Sequence, residues 1–432
     1  MRTFFQIWVG QLISILGSEM ATFAVTLWVW DQTGKATPLA LVWFFSRTSR
    51  VIAASFAGLI IDRANRKHLM ILGDTMAGFS TLLLLLLLWS NQLAIWHLYI
   101  TASINGFFGY LQSLAYSASE SMLLPKLHYA RATAMNHFAY SGNEVIAPAM
   151  AGLLYPLAGL SGILLIDLST FLIAVCLLSR VQIPQPNHDA RNDQVTQTLE
   201  QKLTFGFRYI FSRSSLVAVL VFLLSTNLVF YVSGGIYSPM ILARSDSSAI
   251  VLASVQTAAG IGGIAGAAVL SIWGGPKPRI HGLLSSAILV GSSGMLVGLG
   301  QTQSMWILGS FLSAFFLPLR GSSNQAIWLS KVNPGVQGRV FASRYLIAQI
   351  TSPLGLLLAG IFADYIFTPM MIAGGGFTRL LANLFGSEAG SGMALQYTFF
   401  SCLGVLIGIG AYAFPKLRNV ETILPDYDGS VA

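Results

Sequence analysis

Long apolar stretches alternate with short polar interruptions along the chain, and the stretches have one characteristic size. A helical bilayer crossing takes about 20 predominantly apolar residues. Stretches of that size fall at residues 4–30, 38–61, 68–90, 93–122, 131–157, 160–181, 214–242, 248–272, 281–300, 304–330, 339–365 and 393–414. The pattern predicts an all-α membrane protein of 12 transmembrane helices. An even number puts both termini on one side, and the positions of Lys and Arg make that side the cytoplasm. The long polar interval at 182–213 divides the crossings six and six. The expected organisation is therefore a bundle at 1–181, a linker at 182–213, a second bundle at 214–414 and a cytoplasmic tail at 415–432. Within the linker, Leu199, Leu203, Phe207 and Ile210 recur at helical spacing, which predicts an amphipathic helix on the cytoplasmic surface. Phe377, Leu380, Leu381 and Leu384 predict a short interfacial helix in the last outer loop.

Composition narrows the function. Hydrophobic residues make up 54% of the 432 and charged residues only 9%, against about 25% charged in soluble domains. The expectation is a multi-pass protein of the plasma (inner) membrane, a monomer, in contact with lipid. The net charge of +8 reads as a topology signal and not as a nucleic-acid footprint. Cys176 and Cys402 lie inside apolar runs, and the six histidines lack metal-ligand spacing. No metal, cofactor or enzymatic activity is expected. G-I-G-G-I-A-G at 260–266 has the look of a dinucleotide fingerprint, but it sits inside an apolar helix with no strand before it. Close helix packing through Gly262 and Gly266 is the better reading. The apolar run after Arg2 reads as a first helix, with no convincing cleavage site.

The two halves repeat each other. An offset of 205 carries Leu124 to Leu329, Lys126 to Lys331, Tyr140 to Tyr345 and Pro148 to Pro353, as expected for a transporter built from two related bundles. The same offset turns Glu120 into Gln325 and Glu144 into Gln349, so acids of the first half become amides in the second.

The most hydrophilic short loop is G-L-I-I-D-R-A-N-R-K at 58–67. Gly58, Asp62, Arg63, Arg66 and Lys67 resemble the signature loop between the second and third helices of the major facilitator superfamily, with Asn65 where a second Gly is usual. Residues 141–152, holding Gly142, Pro148 and Gly152, are similar to the antiporter motif of that superfamily. A-Y-S-A-S-E-S-M-L-L-P at 115–125 and S-K-V-N-P-G-V-Q-G-R-V-F-A-S-R at 330–344 resemble the drug:proton antiporter branch that contains macrolide and enterobactin exporters. The resemblance implies two six-helix bundles working by alternating access, and proton-coupled efflux of amphipathic small molecules. Within the same fold, a facilitator or importer of a small polar solute and a non-transporting sensor remain open. It further implies that Asp62 meets the start of the eleventh helix near Gly338 and Arg339, and that Arg66 pairs with Glu120, closing the cytoplasmic side.

Intramembrane charges are costly, about 2.5–3.5 kcal/mol each at the helix centre, and so point to function. Glu19, Arg47, Arg50, Glu144 and Arg320 fall near mid-depth, Asp74, Glu120 and Arg344 nearer the cytoplasm, and Asp167 toward the outside. Glu19 and Glu144, with Arg47 and Arg50, are the expected proton-coupling set. Pairing of these charges merely to hold helices together is the competing reading. Helices one, four and ten carry polar stripes, and Tyr116, Asn227, Tyr231, Arg320 and Asn324 are the expected substrate contacts.

Overall fold

The computed structural model describes residues 2–181, 199–372 and 376–427, except the side chains of residues 2, 58, 59, 62, 63, 121, 126, 130, 199–203 and 376–380. Every described regular element is helical. The helices are α1 (Arg2–Thr33), α2 (Ala36–Arg63), α3 (Arg66–Trp89), α4 (Ile95–Leu123), α5 (Tyr129–Ser179), α6 (Leu199–Phe211), α7 (Ser214–Ala243), α8 (Ala249–Trp273), α9 (Arg279–Leu299), α10 (Gln303–Lys331), α11 (Gln337–Gln349), α12 (Thr351–Phe362), α13 (Thr368–Ile372), α14 (Gly376–Phe385), α15 (Ser391–Ala411), α16 (Pro415–Arg418) and α17 (Val420–Ile423).

Nine runs among the described residues are long and apolar enough to cross a membrane, where the sequence predicts 12. The run Arg131–Ser179 joins two expected crossings. The polar α2, with Arg47 and Arg50, and α4, with Asn105 and Gln112, are helical over the expected spans but are not among the nine.

Chain direction within α5 follows from its partners on α1. Asn143 donates to Leu12 O at 3.5 Å and Tyr155 to Asp31 at 3.4 Å, so residues 143–155 run parallel to α1. Farther on, Asp167 accepts from Ser18, and Leu177 lies against Gly10, so these residues run antiparallel. The chain reverses at Gly159, whose φ of 61° and ψ of −170° are open to glycine and strained for any side chain.

By packing, the chain divides into one unit of Met1–Arg191 and Ser238–Thr257 and another of Asn192–Tyr237 and Ala258–Ala432. In the first, α1 lies against both limbs of α5, and α4 packs on α2 and α3. In the second, α9 packs between α10 and α15. Small residues set these distances. A Cβ on Gly106 would overlap Ser46 O, and Cβ atoms on Gly262 and Gly266 would overlap Phe311 O and Phe315 O. The glycine run of α8 is thus a helix-packing surface, as the sequence suggests.

The two expected surface helices have protein contacts. The amphipathic α6 packs on α11, with Gly206 against Arg339 O and Ser343, and Ile210 fully buried beside Leu216. Phe205 and Phe211 stay exposed. Likewise α14 buries Leu381 and Phe385 and packs on α13, α15 and α9, leaving Leu384 exposed. Leu199, Leu203, Phe377 and Leu380 lie outside the described side chains.

Candidate functional site

In the first unit, polar residues of α1 and α3 meet common partners at seven-residue steps. Asp74 on α3 accepts from Gln11 of α1 at 3.2 Å and from Gln112 of α4 at 2.6 Å. Gln112 Nε2 also donates to Gln11 Oε1 at 2.8 Å, closing a three-residue ring. Seven residues along both helices, Asp167 of α5 accepts from Ser18 at 3.0 Å and from Thr81 at 2.6 Å. Asp74 and Asp167 are each only 5% exposed. Among the described residues neither forms an ion pair with a cationic side chain. Burial without a counter-ion is costly for a carboxylate unless hydrogen bonds replace the lost water. Here amides and hydroxyls supply them.

These residues line a cavity of about 430 Å³, whose described wall comes from this unit. Glu19 also lines it and, unlike the two aspartates, is exposed to it. Glu144 and Arg47 lie within electrostatic range of Glu19. Arg50 lines the cavity too, its guanidinium 5.6 Å from the Tyr110 ring centre. Of the four residues expected to couple protons, Glu144 and Arg47 thus lie near Glu19, and Arg50 shares the cavity wall with it. Glu144 is exposed on α5, while Asn143 and Pro148 turn inward.

At the end of the unit that carries Arg66 and Lys67, the contacts differ from expectation. Arg66 Nη1 donates to Ala118 O at 2.6 Å and contacts Met122 Sδ at 2.8 Å. Glu120 instead accepts from Asn136 Nδ2, and Asn136 Oδ1 accepts from Tyr116 at 3.0 Å. Glu120 is thereby held by a neutral amide, and the expected pairing of Arg66 with Glu120 gives way to a backbone carbonyl on the same helix. Lys67 donates to Ser179 O at 2.9 Å, and Asn65 caps α3 by accepting from the N–H groups of Lys67 and His68. Gly58, Asp62 and Arg63 fall outside the described side chains. Tyr116 lines the cavity. Gly142 has open space around its Cα, whereas a Cβ on Gly152 would overlap Ala253, a close helix approach.

A second cavity, of about 250 Å³, is enclosed by the second unit. Its wall is mostly apolar, with Tyr237, Tyr397, Ser310 and Arg320 as the polar groups that matter. Tyr237 and Ser310 share a 2.8 Å hydrogen bond. Arg320 is held from α7, donating to Thr226 at 2.8 Å and Asn227 at 2.5 Å. Of the expected contacts, Arg320 lines this cavity, Asn227 fixes Arg320 from behind, and Tyr231 packs its Cβ on Gly355. Asn324 is half-buried, its Oδ1 without a hydrogen-bond partner among the described residues. Tyr237 and Tyr397 carry no charge and sit in apolar runs, so charge and polar-stripe reasoning passes over them.

Gly338 and Arg339 lie on the first turn of α11. Gly338 is exposed, and the Arg339 guanidinium stands 4.3 Å from the Phe205 ring centre of α6. Arg344 donates to Gln325 at 3.0 Å and lies over Trp328 and Phe341. Asp74, Glu120 and Arg344, which could have paired with one another, are each held by a side-chain amide. No group of His, Cys, Asp and Glu suited to a metal occurs among the described residues.

A family model described as Major Facilitator Superfamily matches residues 7–356. The chain is 22% identical to macrolide efflux protein A of Streptococcus pyogenes over 365 residues, 84% of this chain and 90% of that protein. It is 26% identical over 387 residues to YkuC of Bacillus subtilis (strain 168), described as an uncharacterized MFS-type transporter, covering 84% of this chain and 86% of the other. The crystal structure of a bacterial homolog of the human lysosomal transporter Spinster, inward-facing and unoccupied, matches with a TM-score of 0.71 and 14% identity over 99% of this chain and 98% of that chain. At that identity the likeness bears on the fold.

Proposed function

Since the chain belongs to the major facilitator superfamily, a family of transporters and not of enzymes, we propose that it exports amphipathic small molecules, macrolides among them, in exchange for protons. It acts in the plasma membrane as a monomer with both termini in the cytoplasm. Its working parts are bundles at 1–181 and 214–414 that alternate access to the two sides, joined by the linker 182–213. The tail at 415–432 is cytoplasmic.

The observation that carries this reading is the division of chemistry between two cavities. The first is lined by an exposed acid, Glu19, with Arg47 and Glu144 in range. The second is an apolar, aromatic pocket with one firmly held cation, Arg320. An amphipathic cargo needs a largely apolar wall with a few fixed polar anchors. Similarity to macrolide efflux protein A over most of both chains supports the substrate class. A carboxyl whose surroundings change between states changes its affinity for a proton; the exposure of Glu19 to the cavity, with Arg47 in electrostatic range, supports giving it this role. A proton crossing about 100 mV releases about 2.3 kcal/mol, enough for roughly a 50-fold substrate gradient.

Everted membrane vesicles test it. A radiolabelled macrolide should enter them only when they are energised and should leave when an uncoupler is added. Uptake indifferent to the uncoupler would contradict proton-driven export.

A further inference from the structure

Among the acids that the proposed proton exchange leaves unused, Asp74 has surroundings that suit a carboxyl that changes protonation. We propose that Asp74, clasped by Gln11 and Gln112, is a second proton-binding site of this protein; the proposal rests on the proton-coupled reading above for its role in transport.

The argument is one of donors and acceptors. In the structure all three contacts run toward oxygen: Gln112 to Asp74 Oδ1 at 2.6 Å, Gln112 to Gln11 Oε1 at 2.8 Å, and Gln11 to Asp74 Oδ2 at 3.2 Å. That arrangement serves a charged carboxylate. Side-chain amides offer both a donor and an acceptor and can be turned over within one shape. If both glutamines turn over, a protonated Asp74 donates from Oδ1 to Gln112 Oε1, and Gln11 Nε2 donates to the same oxygen. The two short contacts survive, and only the long one is given up. A Lys or Arg partner donates only and could not accept the O–H of the neutral acid. Asp74 is 5% exposed and lines the first cavity, which supplies a route for the proton.

The unit carries other charged and titratable groups on the helices about the cavity. Glu19 is on α1, and Arg47 and Arg50 are on α2. Tyr110, Tyr116 and Glu120 are on α4, and Tyr140, Glu144 and Asp167 on α5. None hydrogen-bonds Asp74. Arg50 lies over Tyr110, Tyr116 and Glu120 are both bonded to Asn136, and Asp167 is bonded to Ser18 and Thr81. The amide ring is therefore the immediate control of its protonation.

Infrared difference spectroscopy across a pH titration, on the purified full-length protein in lipid vesicles without substrate, reads protonated carboxyls directly. The expected result is a titrating carboxyl band that is lost in Asp74→Asn, with its midpoint moved in Gln112→Leu. The glutamine variant keeps the test decisive if the aspartate variant fails to fold. A full set of titrating bands in Asp74→Asn, or an unmoved midpoint in Gln112→Leu, would overturn the site. Vesicle uptake of the macrolide by the wild type separates the two readings. If uptake proves independent of the proton gradient while the Asp74 band still titrates, the export mechanism fails and the site stands.

Discussion

Arg320 Nη2 donates to Asn227 Oδ1 at 2.5 Å and to Thr226 Oγ1 at 2.8 Å, so α7 fixes the guanidinium of α10 at the edge of an apolar cavity. The guanidinium is a planar donor set that matches carboxylates and phosphates. An anionic or electron-rich cargo group gains most from it.

Arg320→Ala should therefore reduce transport of anionic substrates at least tenfold more than transport of neutral ones of similar size. Competition uptake with matched neutral and anionic dyes reads the difference. Asn227→Ala should keep the preference but weaken it, and should lower stability by about 1 kcal/mol, the usual contribution of one side-chain hydrogen bond.

Gly262 and Gly266 let α8 lie directly on the α10 backbone. Gly266→Val would drive a side chain into Phe315 O and should destabilise the fold by about 1–3 kcal/mol. Thermal unfolding in detergent should show a lower midpoint, with no change in pH dependence of transport in molecules that remain folded.

Lys331 is buried and ties down the C-terminal segment, donating to Glu421 O and Leu424 O at 2.6 Å each and meeting Asp426 at 2.6 Å. Glu421 in turn accepts from Ile280 N at 2.7 Å, at the start of α9. Lys331→Met should cost about 2–3 kcal/mol through the lost charged hydrogen bonds; Asp426 is 60% exposed, so its share is small. Limited trypsin digestion should then cut after Lys416 and Arg418 sooner than in the wild type.

Much of this was legible in the sequence because membrane solvent makes the rules simple. Backbone groups must be satisfied within helices, so apolar length locates helices, and the expected break between residues 157 and 160 is where the chain reverses, at Gly159. Charges were found because they are rare there. Their partners were not. Ion pairing was the natural guess for Asp74, Glu120 and Arg344, yet each meets an amide, and nothing in the spacing of Gln11, Gln112, Asn136 and Gln325 says which helix they will face. Asp167 was noticed only by depth, since its partners Ser18 and Thr81 are ordinary helix residues. The stripe of α6 predicts a surface helix but not its packing on α11, because amphipathicity reports an apolar face and not what covers it.

The claim on which the rest depends is that Glu19 carries the transported proton. Wild-type and Glu19→Gln protein in proteoliposomes should both exchange labelled macrolide at equal pH on the two sides. With a pH gradient imposed, only the wild type should accumulate it above the external concentration. Accumulation by Glu19→Gln at the wild-type level would contradict the account.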